Sequence, residues 1–165
     1  MCSVPLLLLL IQTMGVDFLV KTVKIPDRDS VGVELYLFDT SGHAIYKDLR
    51  PTYWAGTQLI MAVYDVTNRA SFDSLGGWVA EVSKCASKKS AGAMQGILVA
   101  TKMDQSEFAQ VTNQEALAFA HAHGLAFFET SAAQGKDVDV PFNFLAAKYH
   151  EHYEKKLKEV TEAID

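Results

Sequence analysis

Positive charge is in short supply. Fifteen Lys and Arg face twenty Asp and Glu, for a net charge of −5. The one basic cluster is Lys155-Lys156-Leu157-Lys158. Without a basic stripe there is no electrostatic footprint for nucleic acid, and the cluster, set in a helical pattern, reads as a solvated face. Cysteine is scarce as well. Cys2 and Cys85 have no metal-ligand spacing, which excludes a disulfide framework and fits a reducing compartment. No cysteine lies near residue 165, so a prenyl membrane anchor is not expected. No uninterrupted apolar run exceeds the six residues of 6–11 (LLLLLI), against the roughly 18 needed to span a bilayer. No Lys or Arg precedes that run, as a signal peptide would require. The histidines at 43, 121, 123, 150 and 152 include no i,i+4 pair, which argues against a helical zinc motif. No Ser sits in G-x-S-x-G, which argues against that form of nucleophilic hydrolase.

What remains is a chain able to fold. Hydrophobic residues make up 49% and charged residues 21%, over a length suited to one domain, 1–165. Residues 17–25 (DFLVKTVKI) and 33–38 (VELYLF) read as strands, with Pro26-Asp27 as a turn signal between them. So short a connection makes an antiparallel pair. A short helix is expected over 46–54 despite Pro51. The apolar runs 58–64 (QLIMAVY), 96–100 (GILVA) and 125–128 (LAFF) suit strands buried on both faces. Residues 68–84 read as a helix with Phe72, Leu75, Val79 and Val82 at three-to-four spacing, weakened by Gly76-Gly77. Residues 112–123 carry a capping box, Thr112 with Glu115, and stop at Gly124. A long helix is expected over 139–163, with Pro141 in its first turn. The fold class is therefore α/β, a mainly parallel sheet with helices on both faces. In such sheets ligands lie beyond the carboxyl ends of the strands.

Those ends carry a pattern. Asp39-Thr40-Ser41-Gly42 matches D-x-x-G, Thr101-Lys102-Met103-Asp104 nearly matches N-K-x-D, and Ser131-Ala132 matches the start of S-A-K. Thr13-Met14-Gly15-Val16-Asp17-Phe18 and Tyr64-Asp65-Val66-Thr67-Asn68 stand before and between them. In this order they resemble the Ras superfamily of small GTPases, Rab-type members in particular, from about residue 13 onward. The stretches VKTVKIPD, VYDVTNRASF, FFETSA and VPFNFLAAKYHEHYEKK are similar to the Rab-like GTPases of intraflagellar transport. The resemblance implies a P-loop-NTPase-like small-GTPase fold, GTP/GDP and Mg²⁺ as cofactors, and ciliary protein transport from the cytoplasm and cilium. It also implies a partner of the intraflagellar transport protein 25 type.

Transferred by position, Asp104 would accept from the guanine N1–H and amino group, and Lys102 would lay its stem along base and ribose. Ser131 would belong to the same base loop, and the Ala132 N–H would meet guanine O6. Asp39 and Thr13 would serve Mg²⁺ as oxygen ligands. Gly42 would offer its N–H to a γ-phosphate, and His43 stands at the water-orienting Gln of hydrolysing members.

The departures are as informative. The 165 residues contain no G-x-x-x-x-G-K-[S/T], the loop that cradles phosphates at a helix N-terminus. His43 implies slow hydrolysis; Thr101 replaces an Asn and Ala133 a Lys. On this reading the first strand, P-loop and first helix are missing or replaced, and residues 1–12 are an atypical N-terminus. Two explanations stay open: an N-terminally incomplete or alternatively spliced product, or residues 6–11 filling the central strand position. Two functions also stay open, a GTP-regulated transport subunit and a pseudo-GTPase interaction module. The three-to-four stripe at Leu157, Val160 and Ile164 suggests a partner surface on the last helix, or fraying. Trp54 and Trp78 read as core or partner-contact residues.

Overall fold

The computed structural model describes residues 13–25, 31–57, 59–85 and 95–162. The run 6–11, the Pro26-Asp27 turn signal and Ile164 lie outside the described residues. The first two strands, β1 (Val16–Lys24) and β2 (Gly32–Thr40), pair antiparallel, with Val16 opposite Thr40 and Lys24 opposite Gly32. Alternation along each strand sends Val23 and Leu35 inward and Phe18, Val20, Tyr36 and Phe38 outward. Phe18 stacks on Tyr36 with ring centres 5.8 Å apart.

A second sheet is parallel, in the order β3 (Leu59–Asp65), β4 (Gln95–Thr101), β5 (Ala126–Glu129). Its middle strand is the continuous apolar run, as a strand covered on both faces must be. On one face Leu98 and Ala100 meet α2 (Arg69–Asp73), α3 (Leu75–Cys85) and α4 (Asn113–His123), through Phe72, Leu75, Val79, Ala116 and Ala120. On the other, Ile97 and Val99 meet Leu145 and Phe144 of α5 (Val140–Glu162). Full burial of Ile97 and Leu98 is worth about 2–3 kcal/mol each. The expected α/β architecture with helices on both faces is present.

Among the described residues no ladder joins the hairpin to the parallel sheet. They share α5 instead. Ala146 and Phe142 pack with Val23, Ile25 and Leu35, while Leu59 touches both the hairpin core and the α5 core. Lys21 Nζ pairs with Asp139 Oδ1 at 2.8 Å and lies 5.1 Å from the Phe142 ring centre.

Two helix expectations need correction. The segment 46–54 is not one helix but a 3₁₀ turn at Ala44–Tyr46 followed by α1 (Arg50–Trp54). Pro51 is tolerated in the first turn of α1, where no intrahelical N–H partner is lost. The segment 68–84 is broken at Ser74, between α2 and α3. The Ser74 hydroxyl donates back to the Ser71 carbonyl at 2.9 Å, and Gly76-Gly77 follow, so the backbone has a competing partner and a weak helix former at the same place. The 112–123 helix has both halves of its capping box and ends at Gly124, φ 66°. A 3₁₀ stretch at Met103–Phe108 has no strong signal in the sequence.

Candidate guanine-nucleotide site

The register of the parallel sheet sets Asp65 level with Thr101 and Ala100 level with Glu129, so three strands end on one edge. The loops beyond them interlock. Ser131, fully buried, donates its hydroxyl to Asp104 Oδ1 at 2.5 Å and accepts the Gln134 N–H at 3.2 Å. Its own backbone pairs both ways with Lys136, at 3.0 and 2.9 Å. Met103 N–H donates to the Thr130 carbonyl at 3.2 Å, and Thr130 N–H to the Ala100 carbonyl at 2.8 Å. Thr101, the residue that departs from the N-K-x-D pattern, donates its hydroxyl to the Tyr64 carbonyl at 2.8 Å. That bond fixes the base loop to β3.

Lys102 adopts left-handed backbone, φ 61°, uncommon for a residue with a side chain. Its Nζ lies 2.6 Å from Asp65 Oδ2. The other Asp65 oxygen accepts from the Thr67 amide at 2.9 Å and hydroxyl at 2.7 Å. Burial pushes the Asp65 carboxyl up, but the hydrogen bonds from Lys102 and Thr67 outweigh it and hold the group below the usual carboxylate range. Asp65 as the partner of Lys102, and Thr67 as the partner of Asp65, were not foreseen; their signal is their place at the end of the neighbouring parallel strand. Ala132 is exposed beside Ser131, and its carbonyl accepts the Gly135 N–H at 3.2 Å. Thus Lys102, Asp104, Ser131 and Ala132 stand together on one braced edge.

The other expected residues gather at the end of the hairpin. Thr13 donates its hydroxyl to Asp39 Oδ2 at 3.0 Å, and Ser41 N–H donates to the Gly15 carbonyl at 2.9 Å. One carboxylate and one hydroxyl are oxygen donors of the kind a hard cation such as Mg²⁺ would take. Among the described residues no group of three or more His, Cys, Asp and Glu is gathered for a metal. Gly42 is exposed, and a Cβ there would meet only Trp78, at 3.9 Å. His43 caps the following turn: its Nδ1 accepts the Ile45 N–H at 3.3 Å. No hydrogen bond or ion pair joins this group to the base loops among the described residues. Arg50, which anchors the same segment, also went unnoticed in the sequence. Its one signal is a charged residue set among apolar neighbours in Leu49-Arg50-Pro51-Thr52-Tyr53-Trp54.

An interlocked Lys-x-Asp loop beside a Ser-Ala loop, both beyond a parallel sheet, is the arrangement of the small GTPases. The chain belongs to the Ras family, whose model matches residues 9–151. It is similar to the intraflagellar transport protein 27 homolog of Homo sapiens, 34% identical over 146 residues, 88% of this chain and 76% of that protein. The intraflagellar transport protein 27 homolog of Trypanosoma brucei brucei is 32% identical over 152 residues, 92% and 79% of the two chains. Ras-related protein Rab-13 of Canis lupus familiaris is 32% identical over 136 residues, 82% and 64%.

Proposed function

We propose that this chain is a Rab-like GTPase subunit of the intraflagellar transport machinery, working in ciliary protein transport between cytoplasm and cilium. In this reading it recognises guanine nucleotides and hydrolyses them slowly or not at all. The observation that carries the reading is the base edge: Asp104 held by Ser131, Lys102 held by Asp65, and Ala132 alongside. Asp104 selects guanine because a base lacking the N1–H and amino donors leaves a desolvated carboxylate unpaired. Asp39 and Thr13 would hold the Mg²⁺ that neutralises phosphate charge, and Gly42 leaves room for a γ-phosphate beside its N–H. His43 supports slow hydrolysis, since its ring is committed to the Ile45 amide. The similarity to the protein 27 homologs supports a place in the transport complex, with a partner of the intraflagellar transport protein 25 type.

A second reading, a pseudo-GTPase interaction module, is favoured by one fact: the 165 residues contain no G-x-x-x-x-G-K-[S/T]. That loop contributes several charge-assisted hydrogen bonds at roughly 1.5–3 kcal/mol each, so guanine nucleotide binds these residues weakly. Amide NMR titration with Mg²⁺–GDP and Mg²⁺–ADP separates the two readings. The expected result is a shift of the amides at 102–104 and 131–132 with GDP and none with ADP. Identical spectra with both nucleotides at millimolar concentration would remove the GTPase reading and leave the module.

A further inference from the structure

We propose that Arg50 is a positioning residue: its buried guanidinium clamps the loop that carries His43 onto α3, so that the loop keeps its shape without nucleotide. No residue from 42 to 49 is buried. The loop's own bonds are turn bonds: Tyr46 N–H to the His43 carbonyl, Lys47 N–H to that of Ala44 and Leu49 N–H to that of Tyr46, each at 3.1 Å. Exposed 3₁₀ turns with little apolar burial belong to the low-stability end of a fold. In GTPases such a segment is ordered by phosphate and metal contacts. Here an internal group stands ready to do it.

Arg50, 5% exposed, is the first buried residue after the loop. One of its terminal nitrogens donates to the His43 carbonyl at 3.2 Å, and the other meets Glu81 Oε2 of α3 at 3.5 Å. The guanidinium carbon sits 4.4 Å from the Trp78 ring centre, also on α3. The planar fork is what allows one side chain to make all three contacts; an ammonium lacks that geometry. A second tie closes the far end of the segment. Trp54 packs edge-on against Trp78 at 6.1 Å and donates its Nε1–H to the Thr40 hydroxyl at 3.2 Å. Arg50 Nε is buried without a partner. An apolar residue would avoid that penalty, but it could not reach the His43 carbonyl. The contact made at the loop is therefore what the arginine supplies.

The inference does not require nucleotide to bind, and hydrogen exchange on the nucleotide-free chain tests it. In the unsubstituted chain the Tyr46, Lys47 and Leu49 amides should exchange at least about tenfold slower than unstructured amides, and Mg²⁺–GDP should leave them unchanged. Arg50→Ala should speed these three by about tenfold, with β4 and α4 amides unaffected. Arg50→Lys should restore less than half of the effect, because charge without the fork does not suffice. Loop exchange in Arg50→Ala within about twofold of the unsubstituted chain would overturn the inference. So would loop protection that appears only on adding Mg²⁺–GDP. If Arg50→Ala does not fold, Glu81→Gln carries the test from the α3 side. It leaves Arg50 and its His43 bond in place. Glu81 Oε1 also lies 3.9 Å from Lys47 Nζ of the loop, so Lys47→Gln is measured beside it: faster loop exchange in Glu81→Gln but not in Lys47→Gln supports the clamp, and unchanged exchange in Glu81→Gln, or equal speeding in both, sinks it.

Discussion

Gly96 lies where β4 begins, opposite Ile60 of β3, and it is buried. A Cβ there would overlap Ile60 Cγ2 and stand 2.7 Å from the Ile60 carbonyl oxygen and 2.9 Å from Leu125 Cδ2. The methyl of Ile60 can rotate away, but the carbonyl belongs to the ladder that joins β3 to β4. Relief requires moving the two strands apart at their start. Overpacking of this kind costs about 1–3 kcal/mol, and here the backbone contact points to the upper half of that range. Against it stands a gain of about 0.4–1 kcal/mol from a less flexible unfolded chain. The net expectation for Gly96→Ala is a loss of about 1–2.6 kcal/mol, or about 2–10 °C in Tm for a chain of this size.

Two other glycines calibrate the result. A Cβ on Gly77, exposed in the first turn of α3, meets nothing within 4 Å, so Gly77→Ala should be neutral or gain up to about 1 kcal/mol. Gly124→Ala has equal room but sits at φ 66°, and should lose about 1 kcal/mol through backbone strain alone. Urea denaturation at constant m-value measures all three. If Gly96→Ala is as stable as the unsubstituted chain, the packing argument at the start of β4 is wrong.

Two further predictions concern the base edge and the strand beside it. Ser131→Ala removes a charge-assisted hydrogen bond to Asp104 and leaves the Gln134 amide without its acceptor; the chain should lose about 1.5–3 kcal/mol by urea denaturation, and a change under about 0.5 kcal/mol would mean that Ser131 does not brace Asp104. Tyr64 titrates late: burial, and behind it the charges of Glu129 and Glu115, push its hydroxyl up to about 12. The folded chain holds the phenol proton more tightly than the unfolded chain, whose value is about 10, so the contribution is whole below pH 10 and is lost as pH rises through 12. Between pH 9.5 and 12 the unsubstituted chain should lose about 2 kcal/mol more than Tyr64→Phe, and parallel pH profiles would show that Tyr64 is not perturbed.

The sequence pattern reached most of the fold because strand and helix signals here are local. The run at 96–100 became the strand buried on both faces, whereas the run at 58–64 gave β3, an outer strand of the described parallel sheet with Val63 48% exposed; Thr112, Glu115 and Gly124 marked both ends of α4. The two helix expectations that failed did so where competing partners are also local but weak in pattern. Ser74 turns its hydroxyl back on Ser71, and the loop before Arg50 closes in 3₁₀ turns. The site residues were legible as motif positions, yet what holds them was not. Asp65 is 37 residues before Lys102 and Arg50 is 31 before Glu81. Such pairs are set by the register of parallel strands and the packing of α3, which no periodicity announces.

Thr101 shows what the sequence reading alone undervalued. Read as a motif position, it is the loss of an amide that would tie the base loop to a phosphate loop. In the structure its hydroxyl is spent on the Tyr64 carbonyl, one strand away. With Lys102 on Asp65, Met103 on Thr130 and Asp104 on Ser131, each residue of the 101–104 loop has a partner on the parallel sheet or the loops that leave it. The His43 loop is held by a different element, α3, through Arg50, Trp78 and the Lys47–Glu81 pair. The base edge and the switch-like loop are therefore braced by separate sets of side-chain bonds over one shared core. A substitution that loosens one leaves the bonds of the other in place.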